Sequence, residues 1–399
     1  MINKILFLML VIFALFFPTK HYDIYHFSLL GGSVLLLLLT EFKVSLNFYA
    51  KYFAVLIFII TIGSFVSSIY LGADFFKNIT EVFRFLPVLL LLLSYKVINF
   101  NKNQLDVVLY FYAFLVSTIC LLQYLGVEAV LNLSKIYGSE LQVENSLLLS
   151  SRAIGLSTGP GNNGALFTIL YIYFFSSFLF FKENKIINSI FMFLCVLSVI
   201  LSQSQTSLVA LGFSSIFSLI LILILDKKKF FNTSVFCIVF AMAFSFVFLF
   251  VKNLSKFGYL ISLFNEGLSR NSYQVRMDKV SEVVDLSFSN PIMFFIGYGK
   301  DLVPNSTALD NEYVFYLGVY GFISVILMVL FYLSFILFIF RANKIYSDYV
   351  LCIMIFAGAI IAWPSSFTLD PRLLFILTIL MIFSLREKEF YRNNRDSVL

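Results

Sequence analysis

"SLVALGFSSIFSLILILIL", Ser207 to Leu225, carries no charged side chain from end to end. An α-helix rises about 1.5 Å per residue, so this stretch nearly matches the roughly 30 Å hydrocarbon core of a bilayer. Its apolar residues cover every face, which suits lipid and not water. The same texture recurs along the whole chain. The sequence is 60% hydrophobic and 13% charged, about half the charged share of a soluble domain. Its mean hydropathy is +0.95. These features predict an all-α, polytopic integral membrane protein.

Apolar windows predict about twelve transmembrane helices, over 4–17, 27–40, 50–70, 84–98, 105–125, 163–181, 186–202, 207–225, 230–251, 311–340, 346–363 and 371–385. The second is short for a span. Residues 1–399 are expected to form a single membrane domain. The opening "MINKILFLMLVIFALFFPTK" has the charge and apolar run of a signal peptide. It lacks a small-x-small cleavage site, so it is read as the first membrane helix.

Lysine and arginine set the orientation. Alternate loops hold Lys43 and Lys51, Lys96 and Lys102, Lys182 and Lys185, Lys227 to Lys229, and Arg341 and Lys344. With Lys4 and the tail after Leu385, that side carries 16 of the 28 basic residues. The positive-inside rule makes it cytoplasmic and places both termini there. The formal net charge of +6 is therefore a topology signal and does not point to nucleic acid. Two long loops, about 126–162 and 252–310, fall on the outer face. Loops of that length usually carry function.

Metal and triad chemistry find little support. Cys120, Cys195, Cys237 and Cys352 lie singly in apolar runs, and the two histidines, His21 and His26, sit near the N-terminus. No metal site and no cofactor is expected.

The first outer loop ends in "SSRAIGLSTGPGNNGALF", Ser150 to Phe167. Arg152 precedes Gly155, Gly159, Pro160 and Gly161, and Asn162 leads into the next helix. Arginine offers a planar fork to phosphate. Glycines allow close backbone approach, and a helix N-terminus adds positive dipole. A turn with a snorkelling arginine fits the same residues. The polar strip "SQSQTS", Ser202 to Ser207, suits sugar recognition and equally a tight hairpin.

The second outer loop holds "SRNSYQVRMDKVSEVVDLSFSNPIMFFIGYGK", Ser269 to Lys300. Tyr273, Met277, Val280 and Val284 recur at helical spacing, with Arg276, Lys279 and Glu282 beside them. This predicts a short amphipathic helix on the outer surface, ended by Pro291 and followed by a tight return at Gly297 and Gly299. The loop has six basic and six acidic residues, so any anion binding rests on particular residues such as Arg270, Arg276 and Lys279. Asp310 and Glu312 open the next helix. Either could act as a general base, and either could be a helix cap. Arg84, three residues after Glu81, and Arg372, after Asp370-Pro371, sit at outer helix ends, where arginines commonly snorkel or pair locally.

In combination these positions resemble the O-antigen polymerase and ligase superfamily, over roughly Ser151 to Tyr320. Arg152, Gly155 and Pro160 resemble its outer-loop R-x-x-G-x(4)-P motif. Arg276, fifteen residues before Pro291, with Gly297 and Gly299 beyond, resembles its large-loop arginine and return. Asp310 through Gly318 and Gly321 resembles the start of the following helix. Ligases of the superfamily carry a large-loop histidine, and no histidine follows His26, which favours a Wzy-type polymerase.

The resemblance implies a glycosyltransferase of the bacterial plasma membrane, with its site facing the periplasm or cell exterior. Its substrate would be an undecaprenyl-diphosphate-linked oligosaccharide. Its partners would be membrane lipid and the chain-length regulator and flippase of the same pathway. It implies diphosphate binding by Arg152 and Arg276, with Arg270 and Arg372 as further candidates, and a base at Asp310 or Glu312. A lipid-linked oligosaccharide flippase is the rival class. A flippase would carry its charges along a central cavity, whereas here they gather in outer loops and at helix ends.

Overall fold

The computed structural model describes residues 2–39, 44–98, 100–180, 184–225, 258–259, 271–306, 309–339 and 346–396. Among these the chain is helical and contains no strand. In chain order the helices are α1 (Ile2–Phe16), α2 (Tyr22–Leu39), α3 (Phe48–Leu71), α4 (Phe75–Ile79), α5 (Val82–Leu93) and α6 (Lys102–Leu125). Then come α7 (Glu128–Tyr137), α8 (Glu140–Val143), α9 (Pro160–Phe180), α10 (Lys185–Leu201) and α11 (Gln205–Leu225). The remainder are α12 (Asn271–Ser289), α13 (Pro291–Ile296), α14 (Glu312–Phe315), α15 (Phe322–Ile339), α16 (Tyr346–Ala362) and α17 (Pro371–Asp396).

Helices α2, α3, α6, α9 and α11 are long and apolar enough to cross a membrane, and α1, α10, α15 and α16 are shorter apolar helices. Length and composition thus mark the chain as a membrane protein. Every predicted span except the ninth overlaps helical residues. The ninth, 230–251, lies outside the described residues, as do Cys237, Lys227 to Lys229, Arg341, Lys344 and Arg270.

The short second span is longer than its apolar window. Helix α2 starts at Tyr22, before the oily run begins. Its polar first turns are held by burial: Tyr25 and His26 are enclosed, and the Tyr25 hydroxyl donates to the Ala14 carbonyl at 2.8 Å.

The helices gather in two compact units. One comprises Met1–Val108, Asn271–Ile355 and Ala362–Leu399, and the other Leu109–Arg270 with Phe356–Ile361.

In the first unit α5 packs against α2, α3 and α17. Asn47 ties two helix ends together. Its Oδ1 accepts from the Ala50 N–H at 2.9 Å at the start of α3, and its Nδ2 donates to the Leu92 carbonyl at 2.7 Å near the end of α5. The expected continuous helix over 311–340 is broken. Helix α14 passes into a π-helical turn, Tyr316–Tyr320, and stops at Gly321, which has φ +82°. The break makes room for another backbone. A Cβ on Gly321 would lie 2.4 Å from the Ile296 carbonyl carbon, and one on Gly297 would lie 2.3 Å from the Val319 oxygen. The Tyr298 N–H donates to the Gly318 carbonyl at 2.8 Å, and the Gly299 N–H to the Val319 carbonyl at 3.1 Å. The return after Pro291 therefore docks edge-on against the π turn.

Helix α12 is the expected loop helix, but its buried stripe is shifted. Val283 and Ser287 are buried, whereas Tyr273 and Met277 stand in the open. Val283 fills the space over Gly318, where a Cβ would meet its Cγ1 at 2.5 Å. Pro291 does more than end this helix. Asn290 caps a further helix, α13, of which Pro291 is the first residue, a position where its missing N–H costs nothing.

In the second unit α9 packs against α10 and α11 and is buried along nearly its whole length. Small residues let α9 and α11 approach closely. A Cβ on Gly164 would lie 2.4 Å from the Ser204 Cβ, and the Thr168 hydroxyl donates to the Gly164 and Ser207 carbonyls at 3.0 and 3.2 Å.

Candidate functional site

In the second unit two stretches singled out in sequence come together. The Ala153 N–H donates to the Leu201 carbonyl at 2.9 Å. Arg152 Nε donates to the Ser202 carbonyl at 3.2 Å. Gln203 Nε2 donates to the Ser150 and Ser151 carbonyls, each at 3.3 Å. The strip from Ser150 to Ala153 is thus laid along the start of "SQSQTS". The Arg152 guanidinium carbon lies 3.8 Å from the centre of the Tyr259 ring, a close cation–π contact.

The glycines of this stretch differ in their surroundings. The backbone around Gly155 is already spoken for by Gln123, a buried side chain. Gln123 Oε1 accepts the Ile154 and Gly155 N–H groups at 3.0 and 2.9 Å, and its Nε2 donates to the Gly155 carbonyl at 3.0 Å and to Ser134 Oγ at 2.8 Å. Gly155 has φ +56°, and a Cβ there would lie 2.3 Å from Asn163 Oδ1. Its role is to fold the strip tightly and pack it. The open part lies further on. Pro160 begins α9 and is buried, Gly161 and Asn162 are half-exposed in the first turn, and nothing lies within 4 Å of a Cβ on Gly161. Asn162 Nδ2 donates to Thr158 Oγ1 at 2.7 Å, which fixes its carboxamide.

In the first unit Arg276 Nε and Asp310 Oδ2 form an ion pair at 2.9 Å, and both side chains are largely exposed. Lys279 lies half-buried on the same helix as Arg276. Glu312 has a different setting. It is 1% exposed. Its carboxylate accepts from the Phe367 and Thr368 N–H groups and from the Thr368 hydroxyl, with the Thr368 N–H at 3.0 Å from Oε2. Of the two candidate bases, Asp310 is the one that meets solvent. Glu312 pins the turn ahead of α17.

Both helix-end arginines are enclosed by protein, and Arg84 pairs locally with Glu81. Arg372 is 2% exposed and donates from Nη2 to the Phe17 carbonyl at 3.0 Å. Asp370 caps α17 through the Arg372 and Leu373 N–H groups at 2.9 and 3.1 Å. Arg84 is 9% exposed and belongs to a buried polar cluster. Glu81 Oε1 meets Lys300 Nζ at 2.6 Å, while Glu81 Oε2 accepts from the Tyr320 hydroxyl at 2.7 Å and lies 3.2 Å from Arg84 Nη1. Burial raises the Glu81 carboxyl pKa, but Arg84 and Lys300, with hydrogen bonds from Lys300 and Tyr320, outweigh that and hold it below the ordinary value. The return that carries Lys300 is fixed on both sides. Asp301 Oδ1 pairs with Lys77 Nζ at 2.6 Å, Asp301 Oδ2 accepts from the Asp74 N–H at 3.0 Å, and the Asp301 N–H donates to Asn78 Oδ1 at 2.8 Å. The Asp74 N–H and Lys77 lower the Asp301 pKa.

Two parts of this arrangement were invisible in sequence. Gln123 reads as one amide in an oily run. Lys300 reads as the end of a glycine return, with nothing to tie it to Glu81. No protein-family model and no curated protein matches the chain. Among the described residues no cluster of histidine, cysteine and acidic side chains could hold a metal ion.

Proposed function

We propose that this chain is a Wzy-type polysaccharide polymerase with about twelve membrane spans, both termini in the cytoplasm and its site on the outer face of the bacterial plasma membrane. It moves a growing glycan from undecaprenyl diphosphate onto the non-reducing end of an incoming lipid-linked oligosaccharide repeat. The acceptor hydroxyl oxygen forms the new bond to the anomeric carbon. The bond from that carbon to the diphosphate oxygen breaks, and the hydroxyl proton passes to a carboxylate. Negative charge grows on the departing diphosphate, so fixed cations beside it stabilise the transition state. The substrate arrives activated, so no nucleotide is consumed.

The observation that carries the reading is the bracing of Arg152. Ser202 holds its Nε, Tyr259 underlies its guanidinium, and its strip leads into the open first turn of α9. A cation so fixed needs little reorganisation when charge develops. In the first unit Arg276 is held by Asp310 at 2.9 Å. When Arg276 turns to a phosphate oxygen, Asp310 is released to accept the proton.

The test is complementation of a deletion strain, read on a polysaccharide gel. Arg152→Ala and Arg276→Ala are each expected to leave single capped repeats, since one such contact is worth about 2.7–4 kcal/mol. Ladders of normal length from both would overturn the assignment. Unattached polymer in the deletion strain would indicate a ligase, and repeats trapped on the cytoplasmic leaflet would indicate a flippase.

A further inference from the structure

The stretch "LSFSNPIMFFIGYG", Leu286 to Gly299, carries no charged side chain between Asp285 and Lys300. It forms the elbow from α12 into α13. One side of the elbow is covered by protein: Met293 is enclosed, and α13 packs against α3 and α15. The other side is bare. Phe288 is 67% exposed, Ile292 47% and Phe295 49%. Large apolar side chains gathered on one bare face mark a contact surface.

The neighbours of the elbow give its depth. Helices α3 and α15 lie side by side, with the Tyr52 ring stacked on Phe331 at 3.9 Å and Tyr49 on Phe335 at 5.7 Å. Helix α13 meets both well below the Leu71 end of α3. A Cβ on Gly63 would lie 2.7 Å from the Ile296 carbonyl oxygen, and the Phe294 ring stacks on Phe322 at 5.0 Å. From Gly63 to Leu71, the last residue of α3, the helix rises about 12 Å at 1.5 Å per residue. Over that rise α3 keeps apolar side chains in the open, Phe65, Ile69 and Tyr70 among them. On α15, Ile323 and Ile326 are exposed just past Phe322. The bare face of the elbow thus adjoins the lipid-facing surface of two membrane helices, about two turns below the end of one.

A segment at that depth has to satisfy its own backbone, since hydrocarbon offers no partners. This one does. Asn290 Oδ1 accepts the Ile292 and Met293 N–H groups at 2.9 and 3.3 Å, and Pro291 has no N–H to place. The Gly297 N–H donates to the Met293 carbonyl at 2.7 Å, and the Tyr298 and Gly299 N–H groups go to the π turn. The Ser289 hydroxyl donates to the Leu286 carbonyl at 2.7 Å.

We propose that the α12–α13 elbow is immersed in the bilayer, with Phe288, Ile292 and Phe295 against the acyl chains of the leaflet at the Leu71 end of α3. Under the orientation proposed above this is the outer leaflet, but the immersion itself does not depend on polymerase activity. The partner is the bilayer hydrocarbon. The earlier turns of α12 stand clear of it, since Arg276, Asp278, Lys279 and Glu282 are charged. Immersion braces the return that docks Gly297 on the π turn and brings Lys300 to Glu81.

The test uses the full chain in phosphatidylcholine vesicles and reads tryptophan fluorescence. Trp363 is the only tryptophan, so Trp363→Phe gives a dark background. Phe288→Trp, Ile292→Trp and Phe295→Trp then place single reporters on the elbow, and Tyr273→Trp places a reference on the charged half of α12. Two quenchers are compared: iodide in the water on both sides of the vesicle, and phosphatidylcholine brominated on its acyl chains. The elbow reporters are expected to be quenched by the brominated lipid, more by bromines near the headgroup end than by bromines near the chain ends, as befits a depth of about 5–10 Å. Their iodide quenching constants are expected to fall several-fold below that of Tyr273→Trp. All three positions are bare, so a larger ring has room, and any variant that is not monodisperse is replaced by the other two. Iodide quenching equal to that of Tyr273→Trp at the elbow positions overturns the proposal. Shielding from both quenchers, as a second copy of the chain seated on the elbow would produce, overturns it as well.

Discussion

Gln123 holds the Gly155 peptide from both sides. Its carbonyl oxygen takes the Gly155 N–H at 2.9 Å, and its amide nitrogen gives to the Gly155 carbonyl at 3.0 Å. Gln123→Leu would leave two buried N–H groups and a carbonyl unmatched, at about 1–3 kcal/mol each before relaxation. The expected result is a clear drop in the thermal midpoint of the detergent-solubilised protein. Gln123→Glu keeps both acceptor contacts and loses the two donations, so it should fall between Leu and wild type. A Leu variant as stable as wild type would show that Gln123 does not order the strip.

Gly155 and Gly161 should respond oppositely to alanine. At Gly155 the backbone has φ +56°, and a Cβ would lie 2.3 Å from Asn163 Oδ1 and 2.9 Å from Val116 Cγ1. Left-handed backbone alone costs an alanine roughly 1–2 kcal/mol, and the contacts add to it. At Gly161 a Cβ meets open space. Gly155→Ala is therefore expected to lower the thermal midpoint, while Gly161→Ala should leave it unchanged or raise it slightly through better helix propensity. If Gly161→Ala then shortens the polysaccharide ladder at unchanged stability, the open first turn of α9 is where substrate approaches.

Sequence carried the helices further than it carried their ends or their polar contacts. Lipid-facing segments are apolar throughout, so a hydropathy window finds them, as at Ser207–Leu225 within α11. The same uniformity hides breaks. "YLGVYGF" reads as uninterrupted oil, yet the helix ends at Gly321, because what stops it is the backbone of Gly297 arriving from another loop. The start of α2 was missed for the converse reason: polar Tyr22, Asp23 and His26 look like loop until tertiary burial makes them helix. Arg152 and Asp310 were legible as outer-loop charges. Arg84 was legible only as half of a local pair with Glu81, since Lys300 and Tyr320 lie far along the chain.

Asp301 predicts a loosening of the Gly299 return in acid. The Asp74 N–H and Lys77 lower its folded pKa. A carboxylate depressed on folding stabilises above its unfolded pKa, near 3.9, and that contribution fades as pH falls through the lower folded value. The Asp74 amide should therefore be protected from hydrogen exchange at neutral pH and lose protection below about pH 4. Asp301→Asn has no charge to lose, so it should show the weaker protection at both pH values. Equal protection in wild type and Asp301→Asn at neutral pH would mean that the contact does not hold the return.

Asp310 and Glu312 sit two residues apart and should separate activity from stability. Asp310 shares an exposed ion pair with Arg276 at 2.9 Å, and pairs of that kind are worth about 0.2–1 kcal/mol. Asp310→Asn should thus keep the thermal midpoint within error. Under the polymerase reading it removes the proton acceptor, and the ladder should collapse to single repeats. Glu312 is buried and accepts the Phe367 and Thr368 N–H groups and the Thr368 hydroxyl. Glu312→Ala leaves those donors unmatched, at about 1–3 kcal/mol apiece. It should lower the midpoint by several degrees and reduce polysaccharide in proportion to the protein lost from the membrane. Normalising the ladder to protein in the membrane distinguishes the two. Normal polymer per molecule in Asp310→Asn, with none in a stably inserted Glu312→Gln, would move the base from Asp310 to Glu312.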